Sequence, residues 1–95
     1  MEAFDKAFEN RYRLQLMAIL MANDRYDFNG LKELLELTDG NLASHLKALE
    51  KADYIAVKKT FVGRKTNTSY STTEKGKKAF SGHVDALEKW LKTNT

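Results

Sequence analysis

Two leucine stripes separated by only a three- to four-residue break constrain this chain more than any other feature. Leu31, Leu34 and Leu35 recur at helical spacing within 29–36, and Leu42, Leu46 and Leu49 do so within about 39–52. Between them Leu37-Thr38-Asp39-Gly40 interrupts the period. Thr38 is a good N-cap for the second helix, and Asp39 suits the positive end of its dipole. Asn29 is the expected cap of the shorter one. Two helices joined by so short a turn make a helix-turn-helix unit.

The flanking segments fit around that unit. Over 10–22, Leu14, Met17, Ala18 and Met21 recur at i, i+3, i+4 and i+7, and Leu16, Ile19 and Leu20 widen the apolar surface, so this helix should be buried on most sides. Asn10 is either its N-cap or a break after a shorter helix over 2–9, whose apolar face is Phe4, Ala7 and Phe8. The stretch 23–27 is polar and turn-like. From Tyr54 the period changes to two: Ile55, Val57, Lys59 and Phe61 lie on one side, Ala56, Lys58 and Thr60 on the other. Gly63-Arg64-Lys65-Thr66-Asn67 reads as a flexible tip, and Thr68-Ser69-Tyr70-Ser71-Thr72 as the returning strand. Thr73 and Glu74 open a last helix over about 73–93, where Phe80, Val84, Leu87 and Leu91 form a heptad seam.

With 95 residues and no linker or repeat, residues 1–95 are expected to form one domain, α+β and mostly helical. No apolar run is long enough for a membrane span. The N-terminus carries acids where a signal peptide carries bases, so a soluble cytoplasmic protein is expected. The absence of cysteine excludes disulfides, thiolate metal sites and cysteine nucleophiles. With only His45 and His83, no metal site and no cofactor are expected. Glycine-rich phosphate loops, a serine elbow and paired carboxylates in an apolar setting are all missing, which argues against an enzyme.

Charge is distributed unevenly. Residues 1–53 hold seven Lys/Arg against ten Asp/Glu, residues 54–82 seven against one, and residues 83–95 two against two. A basic segment of that kind is the footprint of a polyanion partner, or else a solvated face. The leucine side of the 39–52 helix leaves Gly40, Ser44, Lys47 and Lys51 opposite, with Asn41, His45 and Ala48 along the flank. Small and hydrogen-bonding residues near the start of a helix, followed by lysines, suit entry into a major groove. Asn41, Ser44 and His45 are candidates for base edges or phosphates, and Lys47 and Lys51 for phosphates. Any amphipathic helix has a polar face, so the hairpin tilts the balance. Lys58, Lys59, Arg64 and Lys65 crowd its tip, with Thr66, Asn67 and Thr68 as donors, an arrangement suited to a DNA backbone or minor groove. Lys75, Lys77 and Lys78 read as a solvated face, and His83 as a packed or hydrogen-bonded side chain.

Arg13-Leu14-x-Leu16-Met17, Leu31-Lys32-Glu33-Leu34-Leu35-x-Leu37-Thr38-Asp39-Gly40-Asn41-Leu42-Ala43-Ser44-His45-Leu46-Lys47-x-Leu49-Glu50, Tyr54-Ile55-x-Val57-x-Lys59-x-Phe61-x-Gly63-Arg64 and Thr68-x-Tyr70-x-x-Thr73-Glu74-Lys75-Gly76 together resemble the single-domain winged-helix regulators related to the ArsR and MarR groups. The resemblance spans about residues 10–80. It implies a recognition helix at 39–52, a wing at 58–68 within the hairpin 54–72, and a homodimer built from the terminal helices. The interface is expected at Phe4, Phe8, Phe80, Val84, Leu87 and Leu91, with packing of the last helix against the first helix of the same chain, or a mixture of the two, as the alternative. It also implies a roughly palindromic operator. Two positions depart from the pattern. Asp53 stands where the family usually has glycine, so a strained turn is expected. Thr66-Asn67 replaces the usual proline and second base, so a looser tip is expected.

The expected protein is therefore a winged helix that binds double-stranded DNA as a homodimer and regulates transcription, with a short extra strand between its first two helices. Its competitors are a winged-helix protein-interaction module without DNA binding, and an RNA binder. The sequence leaves a small-molecule effector open.

Overall fold

The computed structural model describes residues 4–93. A 3-10 turn over Lys6–Glu9 leads into α1 (Arg11–Ala22), followed by β1 (Tyr26–Asp27), α2 (Phe28–Leu35), α3 (Asp39–Lys51), β2 (Ile55–Val62), β3 (Lys65–Thr72) and α4 (Glu74–Thr93). Each helix start has a side-chain cap. Asn10 Oδ1 accepts from the Tyr12 and Arg13 N–H groups, Thr38 Oγ1 from Asn41 and Thr73 Oγ1 from Gly76. Asn10 thus both caps α1 and breaks it from the turn before. The expected helix over 2–9 is a shorter 3-10 turn, and residues 2 and 3 of that span lie outside the described residues. The cap of α2 is Asp27, not Asn29: its carboxylate accepts from the Gly30 N–H at 2.8 Å, and the helix starts one residue earlier than expected.

The core is leucine-rich. Leu16, Met17 and Leu20 of α1, Leu31 of α2, and Leu42, Leu46 and Leu49 of α3 are fully buried, joined by Phe8, Ile55 and Tyr70. In α1 the buried set runs 16, 17, 20, while Ala18 and Met21, placed on the core stripe by their spacing, face solvent. Leu14 and Ile19 pack at the margin. A helix with apolar residues on most sides offers several stripes of equal spacing, and only its neighbours choose among them.

The three strands form an antiparallel sheet in the order β1-β3-β2. Tyr26 opposes Tyr70 and Asp27 opposes Ser69, so the polar 23–27 segment does supply the extra strand. The hairpin ladder runs without a break from Ile55 opposite Thr72 to Val62 opposite Lys65. The tip is therefore two residues, Gly63-Arg64, and not a flexible stretch over 63–67. Gly63 has φ +66° while Arg64 does not have positive φ, the pattern of a type II′ turn, whose twist matches the strands it joins. Thr66 and Asn67 are strand residues with cross-strand partners, so the looser tip expected from them is not found.

Helices α2 and α3 both end without glycine. Glu36 (φ 52°) closes α2 as the Leu37 N–H donates to the Lys32 carbonyl. Asp53 (φ 65°) closes α3, with the Asp53 N–H on the Glu50 carbonyl and the Tyr54 N–H on the Leu49 carbonyl. That pair of bonds is a Schellman ending, built on the residue where strain was expected. Its backbone is held further: the Thr73 hydroxyl donates to the Asp53 carbonyl, and the Thr73 N–H to that of Tyr54. At Gly76 a Cβ would overlap the Tyr54 carbonyl, so only glycine lets α4 start this close to the α3–β2 turn.

The N-terminal segment straps α4 to this turn. The Tyr54 hydroxyl donates to Asp5 Oδ2, the Asp5 N–H donates to His83 Nδ1 at 3.1 Å, and Phe4 and Phe8 meet the His83 ring edge-on. Phe8 also packs edge-on against Phe80. The expected seam is thus divided, with part of it packed within the chain itself. Phe8 is 3% exposed and belongs to the chain's own core, with Phe4 and Phe80 half-buried against the same cluster. His83 is the packed, hydrogen-bonded side chain expected. Beyond it, all described residues of α4 except half-buried Ala86 are exposed, Val84, Leu87 and Leu91 among them.

Candidate nucleic-acid interface

Because Leu42, Leu46 and Leu49 point into the core, α3 must turn its opposite side outward. Gly40, Asn41, Ser44, Lys47 and Lys51 are all exposed, and no other part of the described chain covers them. The Thr38 cap leaves the first turn orderly without occupying that face. The Lys32–Asp39 ion pair at 2.8 Å spans from α2 to the start of α3.

The two flanks of α3 differ. On the α1 side lies His45, half-buried, its ring tilted against Tyr12 with centroids 5.5 Å apart. Its Nδ1 and the neighbouring Arg13 Nε are buried without hydrogen-bond partners. Burial, and then the Arg13 charge, hold the imidazole below its ordinary pKa of 6.5. The Nδ1 edge is turned into the protein, so a base-edge or phosphate hydrogen bond from His45 would run through Nε2. On the other flank Glu50, an acid the polar-face reading passed over, faces the hairpin. Burial, and then the Glu50 carboxylate, raise the Tyr70 phenol.

The hairpin and the helix pair form the walls of one groove of about 560 Å³. Phe28, Asn29 and Glu50 line it from the helices, and Val57, Lys59, Thr66, Asn67, Thr68 and Tyr70 from the strands. Cross-strand partners share a face, so Lys59 with Thr68 and Phe61 with Thr66 lie on the groove side of the ladder. Lys58 opposite Ser69 and Val62 opposite Lys65 lie on the reverse. The hairpin thus carries cations on both faces, with Arg64 in the turn. Sequence alternation anticipated the division of Lys58 from Lys59. It missed that Phe61 and Val62 protrude, because period two says which face a residue takes but not how far the core extends beneath it.

A family model described as a winged helix DNA-binding domain matches residues 12–91. The chain belongs to that family. This winged helix is 38% identical over 79 residues to MJ0432, an uncharacterised protein of Methanocaldococcus jannaschii, covering 83% of this chain and 86% of that one. Among solved structures, a transcriptional regulator homologue from Pyrococcus horikoshii OT3 matches with TM-score 0.72 and 26% identity, over 96% of this chain and 98% of that one. The zinc-responsive MarR family member ZitR of Lactococcus lactis matches with TM-score 0.64 and 22% identity, over 87% of this chain and 56% of that one, a likeness of fold. The chain is a DNA-binding winged helix, and its neighbour from Pyrococcus horikoshii is a transcriptional regulator homologue. In that fold α2 and α3 are the helix-turn-helix pair and the β2–β3 hairpin is the wing. No described helix is long and apolar enough to cross a membrane.

Proposed function

We propose that this protein is a sequence-specific regulator that binds double-stranded DNA as a homodimer. The outer face of α3 enters the major groove, with Asn41 and Ser44 on base edges, Gly40 allowing close approach, and Lys47 and Lys51 on phosphates. The wing lies along the flanking backbone and reaches the adjacent minor groove, where Arg64 and Lys65 find the strongest negative potential. Thr66, Asn67 and Thr68 add donors, and Lys58 and Lys59 add charge. The observation that carries this reading is the uncovered outer face of α3 beside a cationic hairpin across a common groove.

The homodimer reading is supported by α4, where Val84, Leu87 and Leu91 are 40–49% exposed along one seam. Self-pairing along that seam about a two-fold axis would set two recognition helices into successive major grooves of a roughly palindromic operator.

Titrating duplex affinity against salt tests the wing. Arg64→Ala with Lys65→Ala should weaken binding similarly for all sequences and lower the salt slope by about one to two, on the order of the charges removed. Duplex DNA should also outcompete duplex RNA of equal length. An unchanged slope, or preference for RNA, counts against the proposal.

A further inference from the structure

The distal half of the wing is a bare two-stranded ribbon, because β1 pairs with β3 only at Tyr70 and Ser69. At its end sit Phe61, 76% exposed, and Val62, 67% exposed, more open than any other exposed large apolar side chain described. A hairpin end needs β-forming residues, but threonine meets that need, as Thr66 and Thr68 do on the opposing strand. The apolar character is therefore surplus to folding.

Phe61 and Val62 are adjacent on one strand, so they project from opposite faces of the ribbon next to the turn. A flat protein surface, or a second copy laid on one face, would cover one and leave the other in water. A partner that closes on the ribbon end from both sides covers both. Around this end Lys58, Lys59, Arg64 and Lys65 are all exposed, so that partner is polyanionic.

We infer that the wing tip is an apolar wedge that distorts DNA: Phe61, backed by Val62, inserts at a base step from the minor groove while the surrounding cations hold the flanking phosphates. Insertion costs partial unstacking, which is least at pyrimidine–purine steps such as TA, and burial of the phenyl ring against base faces offsets it. The wing then contributes sequence preference through deformability, without a hydrogen bond to any base. This rests on the DNA-binding reading above and adds to it a bend and a step preference.

The test uses the full chain and a duplex recovered by selection, with dyes at its ends to report bending and 2-aminopurine at successive pyrimidine–purine steps to report unstacking. The parent protein should bend the duplex and raise emission at one step per wing. Phe61→Ala should lose both and bind roughly tenfold more weakly, with its salt slope unchanged. Phe61→Leu should keep the bend, since an aliphatic wedge also unstacks a step. Because Phe61 is exposed, both variants should unfold in urea at the parent's midpoint. Duplex binding with bend and emission unaffected by Phe61→Ala overturns the wedge and leaves the regulator reading standing. Failure of the parent to bind any duplex overturns both. Phe61-dependent binding to phosphatidylserine vesicles without duplex distortion overturns the wedge in favour of a lipid surface.

Discussion

His45 shows how a single residue's role depends on a few degrees of helix rotation. It sits at the edge of the α3 polar arc, close enough to α1 for its ring to pack on Tyr12 and its Nδ1 to lose water. Burial first, and the Arg13 charge second, lower its pKa from 6.5. The unfolded chain therefore takes up a proton near pH 6.5 that the folded chain resists, so stability is full above that value and falls as the pH drops below it. Urea midpoints measured from about pH 7 to about pH 5.5 should decline for the parent and decline less for His45→Gln. Equal declines would mean that His45 titrates alike in both states. Tyr54 is the complementary case: its hydrogen bond to Asp5, which ties the N-terminal strap to the turn after α3, and then burial, push its phenol up to about 12.

At the scale of elements, the helix-turn-helix was legible because three independent signals agree. The leucine spacing, the Thr38 cap and the short break all require α3 to begin at residue 39 and to bury the same three side chains. Its outward face then follows from geometry alone. If Asn41 and Ser44 meet bases, Asn41→Ala or Ser44→Ala should change sequence preference and cost about 1–3 kcal/mol on the selected duplex. Equal losses on selected and random duplexes would place both side chains on the backbone instead. The wing was legible less fully. Its alternation was correct, but the ladder runs to Lys65 where a loop was expected, because Gly63 with Arg64 suffices to turn the chain and threonine and asparagine pair as readily as they loop.

For the whole molecule, the decisive question is what covers α4. One seam of four apolar residues was divided by the fold: Phe80 is met by Phe8 of the N-terminal strap, while Val84, Leu87 and Leu91 stay open. In the proposed homodimer a second copy covers this exposed stripe. Leu87→Glu with Leu91→Glu should therefore give a folded monomer by sedimentation, with an unchanged urea m-value per chain and much weaker binding to a palindromic duplex. A dimer that survives both changes would move the interface away from α4. The molecule's long axis of 54 Å, against 25 and 21 Å for the others, reflects this extended shape.

Local physics determined where helices start and stop, which leucines turn inward and where the positive charge gathers, since caps, periods and charge runs are written in neighbouring residues. Tertiary contact alone decided which stripe of α1 is buried, that His45 turns its Nδ1 inward, that Phe8 belongs to the core and that the wing outruns it. Those outcomes depend on residues up to 78 positions apart in the chain, as the Asp5–His83 bond is, and periodicity carries no information about partners at that distance.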